Sequence, residues 1–247
     1  MSMPEPYEPR NYWEGRLSSN FNLRGVGHIC YTEDYNAWLY RRKADTLSAA
    51  LDGSNVSGQS VLDVGCGTGF FVRSFVGRGA LVHGVDITDV SIARLQAEFP
   101  QYTFTTASIS SPMFVPPGTF AIVNIWDVLY HVVDDEGFRT ALGNLAKCVR
   151  PGGQLLLTDQ LAGSADAQVA PHVKLRCLAT YQSVLPDLGL QLVKLLPLYF
   201  RLNDMKQPNQ ETNAAEYYAS DVKDGWIARN NLSVGVWRSS EIHPSRV

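Results

Sequence analysis

A doubly wound α/β fold, one parallel sheet with helices on both faces, is the class this sequence predicts. Three observations predict it. From Ser60 onward, short apolar runs of strand length alternate with helical periods, which implies right-handed βαβ crossovers. The run 120–126 (FAIVNIW) is nearly all apolar, as a strand buried on both faces must be. The first strand ends in a glycine-rich turn, DVGCGTG at 63–69, where glycines allow positive φ and a close approach of the backbone to a ligand. A chain of 247 residues has room for one such domain and not for two ordinary enzymes fused together.

Each element has its own signal. The segment up to Asn36 holds Tyr7, Tyr12, Trp13, Phe21, Tyr31 and Tyr35 but little period, and it reads as irregular. Over 35–51, Trp38, Leu39, Ala44, Leu47 and Leu51 recur mostly at three and four, so a helix is predicted, stopped by Asp52-Gly53-Ser54-Asn55. Residues 60–64 form a strand. A helix over 68–76 ends at Gly77 and Gly79. A strand over 80–85 leads to a helix over 89–99 with Asp89 as its N-cap. A strand over 102–107 precedes a turn with Pro112, Pro116 and Pro117, then come the strand 120–126 and a helix over 134–149. Arg150-Pro151-Gly152-Gly153 turns the chain into a buried strand over 154–158. Residues 172–185 read as helix, 190–200 as extended, and 233–238 as a last strand. The chain divides into an N-terminal lid and helix (1–55), a ligand-binding core (56–160) and a C-terminal half (161–247).

Charge and composition exclude several classes. The net charge is −3, from 21 Lys and Arg against 24 Asp and Glu, whereas a nucleic acid or an anionic membrane surface as main partner calls for a basic excess. No run approaches the roughly 18 apolar residues of a spanning helix. The first ten residues lack the basic start and apolar core of a signal peptide. Cys30, Cys66, Cys148 and Cys177 lie far apart, with no C-x-x-C pair and no histidine at ligand spacing, so free thiols in a cytoplasmic protein are expected. No cluster of acids or histidines follows the strands, and no metal is expected.

Ligands of such sheets sit beyond the carboxyl ends of the strands. The turn there is G-x-G-x-G, with Phe70 at the place of the third glycine of a dinucleotide fingerprint. Asp63 stands two residues before the first glycine; a phosphate gains nothing from a carboxylate so close, but a cationic ligand does. Asp86, at the end of the second strand, suits ribose hydroxyls, which a carboxylate accepts as donors; a helix cap or turn residue is the plainer reading.

VLDVGCGTGF, HGVDIT, WDVLYH and KCVRPGGQLLLTD, in this order and at these intervals, resemble class I S-adenosylmethionine-dependent methyltransferases, over about residues 60–159. The resemblance implies a Rossmann-like, seven-stranded sheet, mostly parallel with an antiparallel last strand. It implies S-adenosylmethionine as cofactor, with the turn at Gly65, Cys66 and Gly67 against its methionine part. Asp63 would serve its ammonium region directly or through water, Asp86 its ribose, and Ile87 its adenine. Where relatives often carry an acid for the adenine amino group, this chain has Ser108 and Ile109.

Asp127 and His131, four residues apart after the fourth strand, share a face if a helical turn follows, and that face lies over the cofactor. His131 then reads either as a general base or as a packed histidine. Beyond the common core, Tyr31, Tyr35, Trp38 and Tyr40 form an apolar wall or the buried face of a helix. Arg41 or Arg42 meets a carboxylate, the cofactor's own included, or is solvated. Tyr40 and Arg41 are assigned to the cofactor; His28, Tyr31, Tyr35 and Tyr130 to the substrate. His83 reads as structural, and His172 has no evident partner. Residues 201–225 read as a lid or a homodimer contact.

The function expected is methyl transfer to a hydroxyl of a small molecule, a sugar or secondary metabolite, with a small amine as alternative acceptor. A nicotinamide-dependent oxidoreductase is the alternative from another class, disfavoured by Asp63 and by the missing third glycine. A cofactor-binding protein without turnover is a third.

Overall fold

The structure is a computed structural model that describes residues 7–111, 120–161, 163–198, 211–224 and 232–239. The turn expected around Pro112, Pro116 and Pro117 lies outside the described residues, as do residues 201–210 and 225 of the 201–225 segment.

Helices α1 (Pro9–Ser19), α2 (Leu23–Val26) and α3 (Glu33–Leu51) precede the sheet. Then come β1 (Ser60–Val64), α4 (Phe70–Val76), β2 (Leu81–Asp86), α5 (Asp89–Glu98), β3 (Thr103–Thr106), β4 (Phe120–Ile125), a 3₁₀ turn at Leu129–His131, α6 (Asp135–Cys148) and β5 (Val149–Gln160). A hairpin of β6 (Ala167–Ala170) and β7 (Val173–Leu175) leads to α7 (Leu178–Val184), β8 (Leu190–Pro197), α8 (Ala214–Asp224) and β9 (Leu232–Ser239).

Seven strands form one sheet in the order β3-β2-β1-β4-β5-β9-β8. The pairs from β3 to β5 are parallel, and β9 alone runs against its neighbours β5 and β8. The chain winds outward from β1 to β3, then restarts on the other side of β1 with β4. The carboxyl ends of β1 and β4 therefore flank the switch point, where the two crossovers leave a crevice. Every residue of β4 is buried. Side chains alternate across the sheet: Leu155 and Leu157 of β5 join the core under α6, while Leu156 joins the core under α3 and α4.

Capping sets the boundaries. Thr32 Oγ1 accepts the Tyr35 N–H at 3.2 Å and starts α3, and Asp134 Oδ1 accepts the Gly137 N–H at 2.5 Å and starts α6. At α5 the N-cap is Thr88 rather than Asp89, and Asp89 lies in the first turn.

Two expectations are corrected. The N-terminal segment is helical: Pro9 takes the first position of α1, where its missing N–H costs nothing, and the Glu8 carboxylate accepts the Asn11 N–H at 2.9 Å. Its apolar face is narrow because it meets ligand space rather than core, which hid the period. The expected helix over 172–185 begins only at Leu178; Val173–Leu175 is a strand.

Candidate active site

The glycine turn follows from backbone geometry. Gly65, Gly67 and Gly69 have φ of 71°, 51° and 85°, in the left-handed region. A Cβ on Gly65 would lie 2.3 Å from a Val128 methyl, and one on Gly67 would lie 2.9 Å from Val26. Asp86 ties the turn to β2: Oδ2 accepts the Gly67 N–H at 2.8 Å, and Oδ1 accepts the Thr88 N–H at 2.9 Å and its hydroxyl at 2.7 Å. Burial raises the Asp86 pKa, and these bonds offset that rise.

Above this turn lies a cavity of about 440 Å³, within the range of small-molecule sites. Gly65, Cys66, Gly67, Asp86, Ile87, Ser108 and Ile109 line it, together with Tyr40. Cys66 contributes surface and not a nucleophile, since burial holds its thiol well above the ordinary value.

The opposite wall comes from the segment after β4. Asp127 has φ of 59°, a costly backbone for a non-glycine residue. It is held there by Thr158, whose Oγ1 accepts the Asp127 N–H at 2.8 Å, and by an ion pair with the buried Lys43 of α3. Next, the 3₁₀ turn brings His131 to the cavity. Its Nδ1 lies 2.8 Å from the His172 carbonyl oxygen. A carbonyl only accepts, so Nδ1 carries the proton and Nε2 the lone pair. Trp13 (4.9 Å between ring centroids), Tyr130 (4.4 Å) and the parallel ring of His172 (5.7 Å) surround it. Burial lowers its pKa to about 4, against partial offsets from the His172 carbonyl and Asp127.

Helix α1 closes the cavity with Pro9, Trp13 and Leu17, spaced four apart on one face, preceded by Tyr7. It docks on the cofactor side of the fold. Because the Thr88 hydroxyl is turned inward to Asp86 and Ser91, the first N–H groups of α5 are left for another acceptor. Glu14 supplies it, accepting from Asp89 N at 2.7 Å and Val90 N at 3.2 Å. Arg10 adds an exposed bridge to Asp89 at 2.6 Å, and Arg16 braces α1 against the Gly25 and Gly27 carbonyls, 2.6 Å from each.

Several sequence assignments are corrected. Arg41 is exposed and lies over the Trp38 and Tyr218 rings, away from the cavity. Arg42 reaches the Pro197 carbonyl at 3.4 Å. Tyr31 and Tyr35 are buried in the core against each other, and His28 packs on Tyr31 at 4.5 Å; none of the three lines the cavity. Tyr130 packs behind His131. Asp63 sits beneath the turn rather than in the cavity wall. Asn124 donates to its Oδ1 at 2.7 Å, its Oδ2 has no partner among the described residues, and burial raises its pKa to about 7. Sequence reasoning missed Tyr7, Trp13, Leu17, Val26, Val132 and Lys43. Pro9 at a helix start with Trp13 and Leu17 at four-residue spacing was the available signal. Lys43, in a run of three cations, gave none.

A glycine cradle that any Cβ would fill, a buried carboxylate at the end of β2 and a roofed cavity between β1 and β4 define a nucleoside-binding α/β protein. The residues fit S-adenosylmethionine: Asp86 would hold its ribose, Ile87, Ser108 and Ile109 would flank its adenine, and the turn with Tyr40 its methionine part. A family model for the methyltransferase domain matches residues 35–192. A ubiquinone biosynthesis O-methyltransferase of Albidiferax ferrireducens is 34% identical over 103 residues, 40% of either chain. The O-methyltransferase resE of Aspergillus sclerotiorum is 32% identical over 154 residues, 56% of this chain and 54% of that one. The chain spans about half the length of the curated relatives it matches. The solved magnesium protoporphyrin IX methyltransferase of Synechocystis PCC 6803, with bound S-adenosylmethionine, superposes with a TM-score of 0.64 at 16% identity, over 96% of this chain and 100% of that one, a likeness of fold. The chain belongs to the methyltransferase-domain family, the class I S-adenosylmethionine-dependent methyltransferases. Among the described residues, no group of three or more His, Cys, Asp or Glu could hold a metal ion, and no helix is long and apolar enough to cross a membrane.

Proposed function

We propose that this protein transfers a methyl group to a hydroxyl oxygen of an uncharged, largely apolar small molecule, with His131 as the base. The observation that carries this reading is the His131 tautomer: Nδ1 is committed to the His172 carbonyl, which leaves the Nε2 lone pair on a ring that lines the cavity. The cofactor, when bound, supplies an electrophilic methyl group on a sulfonium. Everything else falls to the protein. The glycine turn and Asp86 orient that group, and α1 excludes water through Tyr7, Trp13 and Leu17. A neutral imidazole receives the acceptor's proton. With a pKa near 4 it is always free to accept but is a weak base. It does not strip a phenol, whose pKa is about 10 in tyrosine, ahead of the reaction. The proton moves as the oxygen gains its methyl group.

The lining supports the acceptor class. Its named residues include no Lys or Arg, which disfavours phosphorylated or carboxylated acceptors. The rings of Tyr7, Trp13 and His131 with Val132 and Val133 suit a hydroxylated aromatic better than a sugar, which would leave many hydroxyls unpaired. The names of the curated relatives quoted above point to the same atom, oxygen. An amine acceptor stands second, since the acids Asp127 and Asp134 line the cavity but are already committed to Lys43 and to the start of α6.

The experiment is a product screen by mass spectrometry with labelled S-adenosylmethionine and panels of phenols, sugars and amines. Methylated phenols are expected. Methylation confined to amines or sugars would overturn the acceptor class. Turnover of none, with the cofactor bound, would leave a binding protein, and binding of NADH instead would overturn the cofactor.

A further inference from the structure

The β6–β7 hairpin lies outside the main sheet, yet its second strand and the residues flanking it, 172, 174 and 176, are tied to the segment 131–135 that carries His131. The His172 carbonyl accepts from His131 Nδ1 at 2.8 Å. Lys174 Nζ lies 2.6 Å from Asp135 Oδ1. Arg176 Nη2 donates to the Val132 carbonyl at 2.9 Å and, at 3.4 Å each, to the Asp134 carbonyl and Asp135 Oδ1. At the base of the hairpin, Asp166 Oδ1 accepts the Cys177 N–H at 2.9 Å and the Thr180 hydroxyl at 2.7 Å, which anchors the unit to α7.

Arg176 is the unusual member. It is fully buried, its guanidinium lies 3.7 Å over the Phe138 ring, and its Nε and Nη1 have no partner among the described residues. Among the described residues its one ion-pair partner, Asp135, is exposed and so compensates little of the cost of burying a charge, and Asp159 and Asp166 act on it only at longer range. An aliphatic side chain would fill the same space without that cost. What the arginine adds is one buried nitrogen, Nη2, whose N–H groups hold the carbonyls on either side of Val133, in the wall of the cavity.

We propose that Arg176 is a positioning residue. It fixes the 132–134 carbonyls so that the His131 ring keeps Nδ1 on the hairpin and Nε2 toward the acceptor. The proposal rests on the reading of His131 as the base, and the test separates the two.

Arg176→Met and Arg176→Lys are each made alone and on a His131→Ala background. Arg176→Met is expected to lower kcat roughly ten- to a hundredfold, the usual consequence of a small misplacement at a reacting centre. Affinity for S-adenosylhomocysteine should stay unchanged, and Lys, which can still reach one carbonyl, should restore part of the rate. On the His131→Ala background the same substitution should cost nothing further. The acid limb of kcat should move upward as the ring loses its burial. The charged and titratable groups around that ring are Asp127 and Tyr130 on its own segment, Arg16 from α1 and His172 from the hairpin, and all four remain in every variant. An equal loss in both backgrounds, or a parallel loss of cofactor affinity, would overturn the proposal in favour of a merely structural role. If His131→Ala itself retains kcat, the base reading fails, and ¹⁵N shifts of the His131 ring decide positioning. A lost Nδ1–H tautomer in Arg176→Lys supports it, and an unchanged ring overturns it. The Lys variant keeps charge and stem, so it serves where Met does not fold.

Discussion

The two halves of the cavity are built differently. The half assigned to the cofactor centres on one short stretch, Gly65–Gly67, and the strand ends at Asp86-Ile87 and Ser108-Ile109, with Tyr40 its one side chain from α3. The half proposed for the acceptor draws on α1, the segment after β4 and the β6–β7 hairpin, up to 159 residues apart in the case of Trp13 and His172. The first is a backbone device in which glycine φ angles and N–H groups do the holding. The second is a side-chain device, dependent on packing between elements. Substitutions in the first half should therefore act on binding, and in the second on turnover.

The largest effect expected is at His131. His131→Ala should lower kcat by about 10²–10⁴ and leave cofactor affinity intact, by stopped-flow and calorimetry respectively. The wild-type acid limb should lie near pH 4 rather than 6.5, because burial keeps the imidazole neutral down to about 4. Folding linkage has the matching sign: a histidine depressed in the folded state favours unfolding once protonated. The His131 contribution is thus complete above pH 6.5 and is lost as pH falls from there through 4. Urea midpoints of wild type and His131→Phe, compared across that range, should converge at the acid end.

Gly65→Val comes next. It forces a φ near 71° on a branched residue, at about 1–3 kcal/mol, before the clash with Val128. Titration calorimetry should find cofactor binding lost with the sheet intact. Normal binding would make the turn merely structural. Asp86→Asn removes a charged acceptor and should weaken binding by about 1.5–3 kcal/mol. Asp86 also ties Gly67 to Thr88, so a lower melting temperature should accompany the loss.

Glu14→Gln tests an exception to this division, because α1 lines the cavity through Trp13 but docks on the cofactor side through Glu14. Glu14 acts as the cap of α5 in place of Thr88, and such caps contribute about 0.5–2 kcal/mol. The variant should release the demethylated cofactor several-fold faster while the chemical step, read in single turnovers, is unchanged. The smallest effect is expected at Arg41. Its stacking on Trp38 and Tyr218 contributes about 0.5–1 kcal/mol to stability. Arg41→Ala should leave both kcat and cofactor affinity as they were; a large loss of affinity would return Arg41 to the cofactor.

The cofactor half was legible because its requirements are local. Gly65, Gly67, Asp86, Ile87, Ser108 and Ile109 all line the cavity, at strand ends that hydrophobic patterning located within a residue or two. Tyr40 and Arg41 show where such reading stops. They are adjacent on α3, one turned to the cavity and the other outward, and nothing in their chemistry says which. His172 is a second case. Val173 and Leu175 are two apart, a strand spacing, but the run is too short to stand out from the helix that follows it, and pairing with β6 is what sets it apart.

What the sequence determined by itself was the order of strands and helices over residues 60–160, the glycine turn and the acid that braces it. These follow from period, side-chain volume and backbone freedom, which act over a few residues. Tertiary structure alone decided that α1 roofs the cavity, that Lys43 rather than Arg41 faces Asp127, and that His131 lines the cavity with Nδ1 held by the His172 carbonyl. Each depends on two distant segments meeting, and the direction in which a buried charge or proton is turned is settled by the partner it finds there.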